Sequence, residues 1–304
     1  MRSKLAAVAG GSGFIGGAIV RRLVESGTRV RVLTRSPERA KMKFQGLDIE
    51  SARADVTDPA SLANALAGVD TLVNAVQFDG YPVENPRRGL TYERIDYGGT
   101  AALLKAAAGN AVRKFIYISG ASTDEKSSHP AFRNKALAER AIRGSGLDYT
   151  IFRPSLVYGP DDRVLNALAQ ILRLSPVFVV PGTGRQRVQP LFIGDLSQCV
   201  ALALGGRGRN QIFEIGGPDI MSFDAMITLM MDITGHRRLI VHAPEGIMRI
   251  AGALGELAPK PLFSRDAVKF VTADNICDNR ALLKEFAITL TRPGIGMAYL
   301  APKH

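Results

Sequence analysis

Two cysteines, four histidines and no tryptophan in 304 residues leave little of the chemistry that staples or metallates a small domain. Cys199 and Cys277 stand far apart with no Cys-x-x-Cys pair, so neither a disulfide framework nor a structural zinc site is expected. His129, His236, His242 and His304 lack ligand spacing, which argues against a metal centre. No run approaches the roughly 18 uninterrupted apolar residues of a membrane span. The apolar run near the N-terminus turns into glycines too soon for a secretory signal core. These absences point to a reducing, cytoplasmic setting, with attachment to the inner face of a membrane as the alternative.

Negative charge is the scarcer sign: 28 acidic residues face 39 Lys and Arg, for a net +11. The cations are scattered, without an aromatic-interleaved stripe or a nucleic-acid motif, so no nucleic acid is expected as a partner. A basic solvated surface accounts for most of this charge, and an anionic membrane surface or an acidic partner is the remaining attractor. With 46% hydrophobic side chains, the chain is large enough for one α/β unit plus a smaller lobe.

Strand-length apolar runs alternate with helical patterns through the first half, the mark of βαβ units and a parallel sheet. Strands are predicted at Leu5–Ala9, Arg29–Leu33, a stretch ending at Asp55, Thr71–Ala75, Lys114–Ser119 and Tyr149–Arg153. Helices are predicted at Phe14–Val24, Pro59–Ala67, Asp96–Ala108 and Ala131–Arg143, each followed soon by a glycine. The fold expected is α/β: a Rossmann-like doubly wound parallel sheet over residues 1–155, with a smaller mixed lobe over 156–304 and a return of the chain to the sheet around 190–215. In the lobe, Ser222–Thr234 and Glu245–Leu257 read as helices. In the second of these, Ile247, Ile250, Ala251 and Leu254 form one apolar stripe, a packing face or a surface for a lipid or quinone tail.

The strongest motif is Gly10-Gly-Ser-Gly13-Phe14-Ile15-Gly16, directly after a strand and opening a helix. A dinucleotide pyrophosphate needs the backbone close to its oxygens and a helix N-terminus aimed at them, and glycine leaves room for both. After the second strand, where an NAD site places Asp or Glu, the chain reads Thr34-Arg35-Ser36, with Arg39 shortly beyond. Arg35, Ser36 and Arg39 can meet a 2′-phosphate through charge-assisted hydrogen bonds, so NADP(H) is the expected cofactor ahead of NAD(H).

The glycine turn, Ala54-Asp55-Val56, Asn74-Ala75-Val76, Asp96-Tyr-Gly-Gly-Thr100, Phe115-Ile-Tyr-Ile-Ser119 and Arg153-Pro154-Ser155-Leu-Val-Tyr-Gly-Pro160 together resemble the extended and atypical short-chain dehydrogenase/reductases, of epimerase/dehydratase-like type. Phe132-Arg-Asn-Lys135, Tyr158-Gly-Pro-Asp-Asp-Arg163 and Gln189-Pro-Leu-Phe-Ile-Gly-Asp195 are similar to the nucleotide-binding accessory subunit of respiratory complex I and its bacterial relatives. The resemblance implies that Asp55 and Val56 meet the adenine, and Ala75 and Val76 the adenosine ribose and pyrophosphate. It places Ser119 and Lys135 at the nicotinamide ribose, and Pro154 and Ser155 beside the nicotinamide. Bland alternatives are core packing for Val56 and Val76, a turn cap for Asp55 and a solvated helix position for Lys135.

One departure outweighs these matches. Active members of that family carry a Tyr four residues before the Lys as general acid, and here that position is Ala131. Lys135 is therefore the one catalytic candidate, with Ser122, Thr123 or Tyr158 as hidden acids. The expectation is a cofactor-binding structural or regulatory protein linked to respiratory or quinone metabolism. The alternative is an NADPH-dependent reductase of a quinone or other hydrophobic acceptor, because Leu168, Ile171, Leu172, Val177 and Phe178 make the region after the sixth strand apolar. A nucleotide-sugar epimerase or dehydratase comes last.

Overall fold

The computed structural model describes residues 4–244, 246 and 273–302. Its chain divides into two compact units. The first comprises Met1–Pro154, Gly194–Ile215 and Asn279–Ile288, the second Ser155–Ile193, Gly216–Asp278 and Thr289–His304.

The first unit is built on strands β1 (Leu5–Ala9), β2 (Arg29–Thr34), β3 (Ile49–Arg53), β4 (Thr71–Asn74), β5 (Lys114–Ile118) and β6 (Asp148–Pro154). With Gln211–Ile215 they form a seven-stranded sheet in which β6 lies next to that last strand, then β5, β4, β1, β2 and β3. Every pairing in it is parallel. A parallel sheet carries helices on both faces, so its central strands read as apolar runs without alternation. All five residues of β1 are buried, none more than 5% exposed. Leu5, Ala7 and Ala9 join one core cluster with Leu62, Leu103, Leu104, Ala107, Ala138 and Ile142. Those partners come from helices α3 (Pro59–Ala65), α4 (Gly99–Gly109) and α5 (Pro130–Arg143).

Local chemistry sets the helix ends. Asp58 caps α3 by accepting from the Ala60 N–H, and Pro59 holds the first helical position. His129 does the same for α5 through Nδ1, with Pro130 next. The helix predicted from Asp96 begins earlier, as a π-helical turn at Tyr92–Gly98 that runs into α4. Thr100 Oγ1 donates back to the Asp96 carbonyl at 2.5 Å within that junction. Helix α1 spans Phe14–Glu25, and a further short helix, α2 (Pro37–Lys43), follows β2.

The second unit has its own core, in which Tyr158, Leu165, Leu172, Phe178, Phe223, Met226, Met230 and Met297 are buried together. Its strands are short, and Val177–Pro181 pairs in parallel with Leu239–Ala243. The helix expected at Ser222–Thr234 is present as Phe223–Thr234, capped by the Ser222 hydroxyl. The stripe of Ile247, Ile250, Ala251 and Leu254, and the helix expected there apart from Gly246, lie outside the described residues. Among the described residues, no helix is long and apolar enough to cross a membrane.

Candidate functional site

In a doubly wound sheet of this strand order, ligands meet the carboxyl ends of the strands where the order reverses, here beside β1 and β4. The turn after β1 occupies that edge. Gly10 has φ +74°, and a methyl group on it would stand 2.5 Å from the Ala75 carbonyl oxygen. A methyl on Gly16 would collide with the carbonyl of Gly10. Those two glycines are required by the chain's own packing. Gly13 differs: it caps α1 with φ −77°, and a methyl there would meet only the Gly10 oxygen, at 3.2 Å. The space beyond Gly13 is open, and the Phe14 and Ile15 N–H groups lie in the first helical turn, where a helix supplies no carbonyl partners. No acidic residue sits in that turn. This arrangement fits a dinucleotide pyrophosphate, whose charge the helix N-terminus favours.

At the end of β2, Thr34 is buried and keeps its hydroxyl within the loop, accepting from the Ser36 N–H at 3.2 Å and lying 3.5 Å from the Ser12 hydroxyl. Arg35 and Arg39 are exposed, and Ser36 is partly buried as the cap position of α2. Two cations not singled out in the sequence lie close by. Lys43, at the end of α2, donates to the carbonyls of Ser12 and Gly13 at 3.0 and 3.2 Å, fastening the glycine turn from outside. Arg53, exposed at the end of β3, is the ladder partner of Thr34.

Beyond β3, the Asp55 carboxylate accepts from the Thr57 N–H at 2.8 Å and from the Thr57 hydroxyl at 2.7 Å, so it organises its own turn. Val56 packs on Gly99, where a methyl would come within 2.8 Å of it, and both Val56 and Val76 lie against the sheet's core cluster. After β4, Ala75 donates to Ala9 and Val76 to the Asn74 side chain, which pins that edge beside Gly10.

At the ends of β5 and β6 polar side chains pair with one another. Ser119 is buried and donates to Glu139 Oε1 at 2.6 Å. Arg153 grips the same carboxylate with two hydrogen bonds of 3.0 and 2.6 Å, and these raise the pKa of its guanidinium above the usual value. Thr123 is buried and donates to the Gly120 carbonyl, whereas Ser122 is exposed with φ +62°. Pro154 ends β6, and Ser155 donates to the Gln189 carbonyl within the second unit. Tyr158 is fully buried in the core of that unit.

Lys135 is not a solvated helix residue. Its side chain is 7% exposed, and its ammonium lies 2.9 Å from Asp96 Oδ1, a carboxylate with no exposed surface. The ammonium also sits 5.7 Å above the Tyr117 ring. Burial alone would push this lysine toward neutrality, but Asp96, helped by Tyr117 and Tyr81, outweighs it and lifts the pKa above the ordinary lysine range. Ala131, one turn before Lys135, is buried and offers no phenol. A different phenol is within electrostatic reach. Tyr81 packs edge-on against Phe78 and Tyr92 at 5.7 and 5.8 Å, and burial pushes it up to about 12 against the pull of Lys135. The apolar residues after β6 have another use: Leu172 and Phe178 are core, with Leu168 and Ile171 packed against it.

The fold and this edge define a Rossmann-like α/β protein with a glycine turn of dinucleotide-binding type. The chain belongs to the NAD(P)H-binding family, whose model matches residues 10–169. Over 294 residues it is 25% identical to the mitochondrial NADH dehydrogenase (ubiquinone) 1 alpha subcomplex subunit 9 of Arabidopsis thaliana, covering 91% of this chain and 72% of that protein. It is 27% identical over 283 residues to the mitochondrial NADH-ubiquinone oxidoreductase 40 kDa subunit of Neurospora crassa, covering 91% and 72%. Among solved structures, an NADPH-dependent quinone oxidoreductase of Escherichia coli, complexed with NADPH, shares the fold at a TM-score of 0.77 and 17% identity, covering 97% of this chain and 99% of that one.

Proposed function

We propose that this protein binds NADP(H) along the carboxyl edge of its sheet and holds it without ordinary dehydrogenase or epimerase turnover, as a structural or regulatory subunit. The observation that carries this reading is Lys135, whose ammonium is bound to buried Asp96 while Ala131 stands where an acid would be. A bound nicotinamide supplies or accepts hydride, but carbonyl chemistry also needs a proton donor beside it. The glycine turn, with Gly10, Gly13, Phe14, Ile15 and Gly16, takes the pyrophosphate. Arg35, Ser36 and Arg39 take the 2′-phosphate. Asp55, Val56, Ala75 and Val76 line the adenosine half, and Ser119, Lys135, Pro154 and Ser155 the nicotinamide half. Likeness to respiratory-complex subunits supports a respiratory complex or the inner membrane surface as the partner, and a cytoplasmic, membrane-peripheral location.

A second reading rests on Tyr81. A phenol that keeps its proton at neutral pH near Lys135 supplies the donor missing at 131, and would make the protein an NADPH-dependent reductase of a quinone or other hydrophobic acceptor. The test is fluorescence titration of NADPH and NADH, followed by an assay of bound NADPH against quinones, aldehydes and nucleotide sugars. Binding without oxidation supports the holder. Quinone-only oxidation abolished by Tyr81→Phe supports the reductase, and absence of binding removes both.

A further inference from the structure

The strand order 3-2-1-4-5-6 sends a dinucleotide from the adenosine side at β2 across β1 toward β4 and β5. Neighbouring strands are about 4.8 Å apart, so a ligand whose pyrophosphate sits on the β1 turn brings its far ring, roughly 10 Å on, to the end of β5. Gly120 follows that end, and a methyl placed on it would lie 3.6 Å from the Lys135 side chain. Lys135 and Asp96 therefore stand beside the nicotinamide in the reading proposed above. The two forms of that ring differ in charge: the oxidised ring is cationic, the reduced ring neutral. A lone buried ammonium beside it would repel the oxidised form selectively. Asp96, 2.9 Å from the ammonium and fully buried, cancels that charge.

The pair is also insulated, as a local electrostatic element must be. Tyr117 lies beneath the ammonium, and Phe78 and Tyr92 are buried close to Tyr81. Low dielectric and little water preserve the effect of a unit charge there. Asp96 reaches this position from the π-helical turn Tyr92–Gly98, a local geometry that often marks functional positions.

We infer that Asp96 sets the redox-form preference of the bound dinucleotide, neutralising Lys135 so that oxidised and reduced nicotinamide are held with comparable affinity. Asp96 is a positioning and charge-balancing residue that acts through Lys135. The inference rests on the dinucleotide reading, and the experiment separates the two.

The probes are NADP⁺ and NADPH, titrated by calorimetry into the full chain, its Asp96→Asn variant and the Asp96→Asn/Lys135→Met double variant. Asp96→Asn is expected to raise the ratio of the NADP⁺ to the NADPH dissociation constant by about tenfold or more at the acid end of a pH series, where the unpaired Lys135 holds its proton. That rise is expected to be lost as the pH goes up and burial neutralises the amine. The double variant, neutral again, is expected to return to the wild-type ratio. If Asp96→Asn does not fold, Lys135→Met decides: at the alkaline end of the series it leaves the Asp96 carboxylate alone beside the ring and should lower the ratio by a similar factor, and an unchanged ratio overturns the inference. An unchanged ratio in a folded Asp96→Asn that binds both forms also overturns it, leaving the dinucleotide site standing. Failure of the wild type to bind either form refutes the dinucleotide reading itself.

Discussion

At the ends of β1 and β2 the chain offers open backbone and exposed cations, whereas beyond β5 the side chains of Lys135, Asp96, Ser119 and Glu139 are buried and engaged in pairs. Gly13 and Arg35 face space. Lys135, Ser119 and Glu139 face each other's neighbours, through 2.9 Å to Asp96 and 2.6 Å between Ser119 and Glu139. In the proposed reading, the first region receives an anion at little cost to the fold. The second spends its charges on internal pairs, so mutations there should register first as stability and only then as binding.

The largest expected effect follows from that contrast. Lys135→Met leaves Asp96 buried without its cation, and breaking a buried pair from one side costs about 3–5 kcal/mol. Urea denaturation should show that loss, and adding Asp96→Asn should restore most of it. A loss below about 1 kcal/mol would mean the pair is not a closed unit.

Next comes Gly13→Val. Because only the Gly10 carbonyl is near, circular dichroism should report a folded protein while NADPH affinity falls by roughly a hundredfold or more. Gly10→Ala should do the opposite kind of damage, destabilising the turn through its positive φ and the Ala75 carbonyl. If both variants fold and bind alike, the division between packing glycines and a ligand glycine fails.

Arg35→Ala sharpens the open region. Loss of a charge-assisted contact should weaken NADPH by roughly ten- to a hundredfold and leave NADH nearly unchanged in parallel titrations. The smallest effect is expected at an exposed pair on the buried region's own helix. Arg140 and Glu125 meet at 2.9 Å, but their side chains are 60% and 41% exposed, so Arg140→Ala should shift thermal stability by no more than about 0.5 kcal/mol. A larger shift would show that surface charge, and not burial, separates the regions.

Much of the open region was legible in the sequence, because its signals are local. Strand β1, the glycine turn and α1 follow one another within 25 residues, and periodicity identifies each. The sheet's first six strands fall within a residue or two of expectation for the same reason. The buried region depends on partners 39 residues apart, Asp96 and Lys135, which no local pattern joins. A signal was nevertheless present. Asp96 shares a helical stripe with Thr100, Leu103, Leu104 and Ala107, all buried, and a carboxylate on a buried stripe demands a cation. Lys135 shares the buried stripe of Ala131, Ala138, Glu139 and Ile142 in the same way. Lys43 was missed because α2 itself was not anticipated: of its residues only Ala40 is buried, so Pro37–Lys43 carries no apolar stripe for periodicity to register.

The most direct test of the central claim is to saturate the protein with NADPH, verify occupancy by fluorescence, and then follow its absorbance on addition of quinones, aldehydes and nucleotide sugars. The account predicts full occupancy with oxidation no faster than in protein-free controls. Turnover of any of these acceptors that disappears in a folded Tyr81→Phe variant would contradict it.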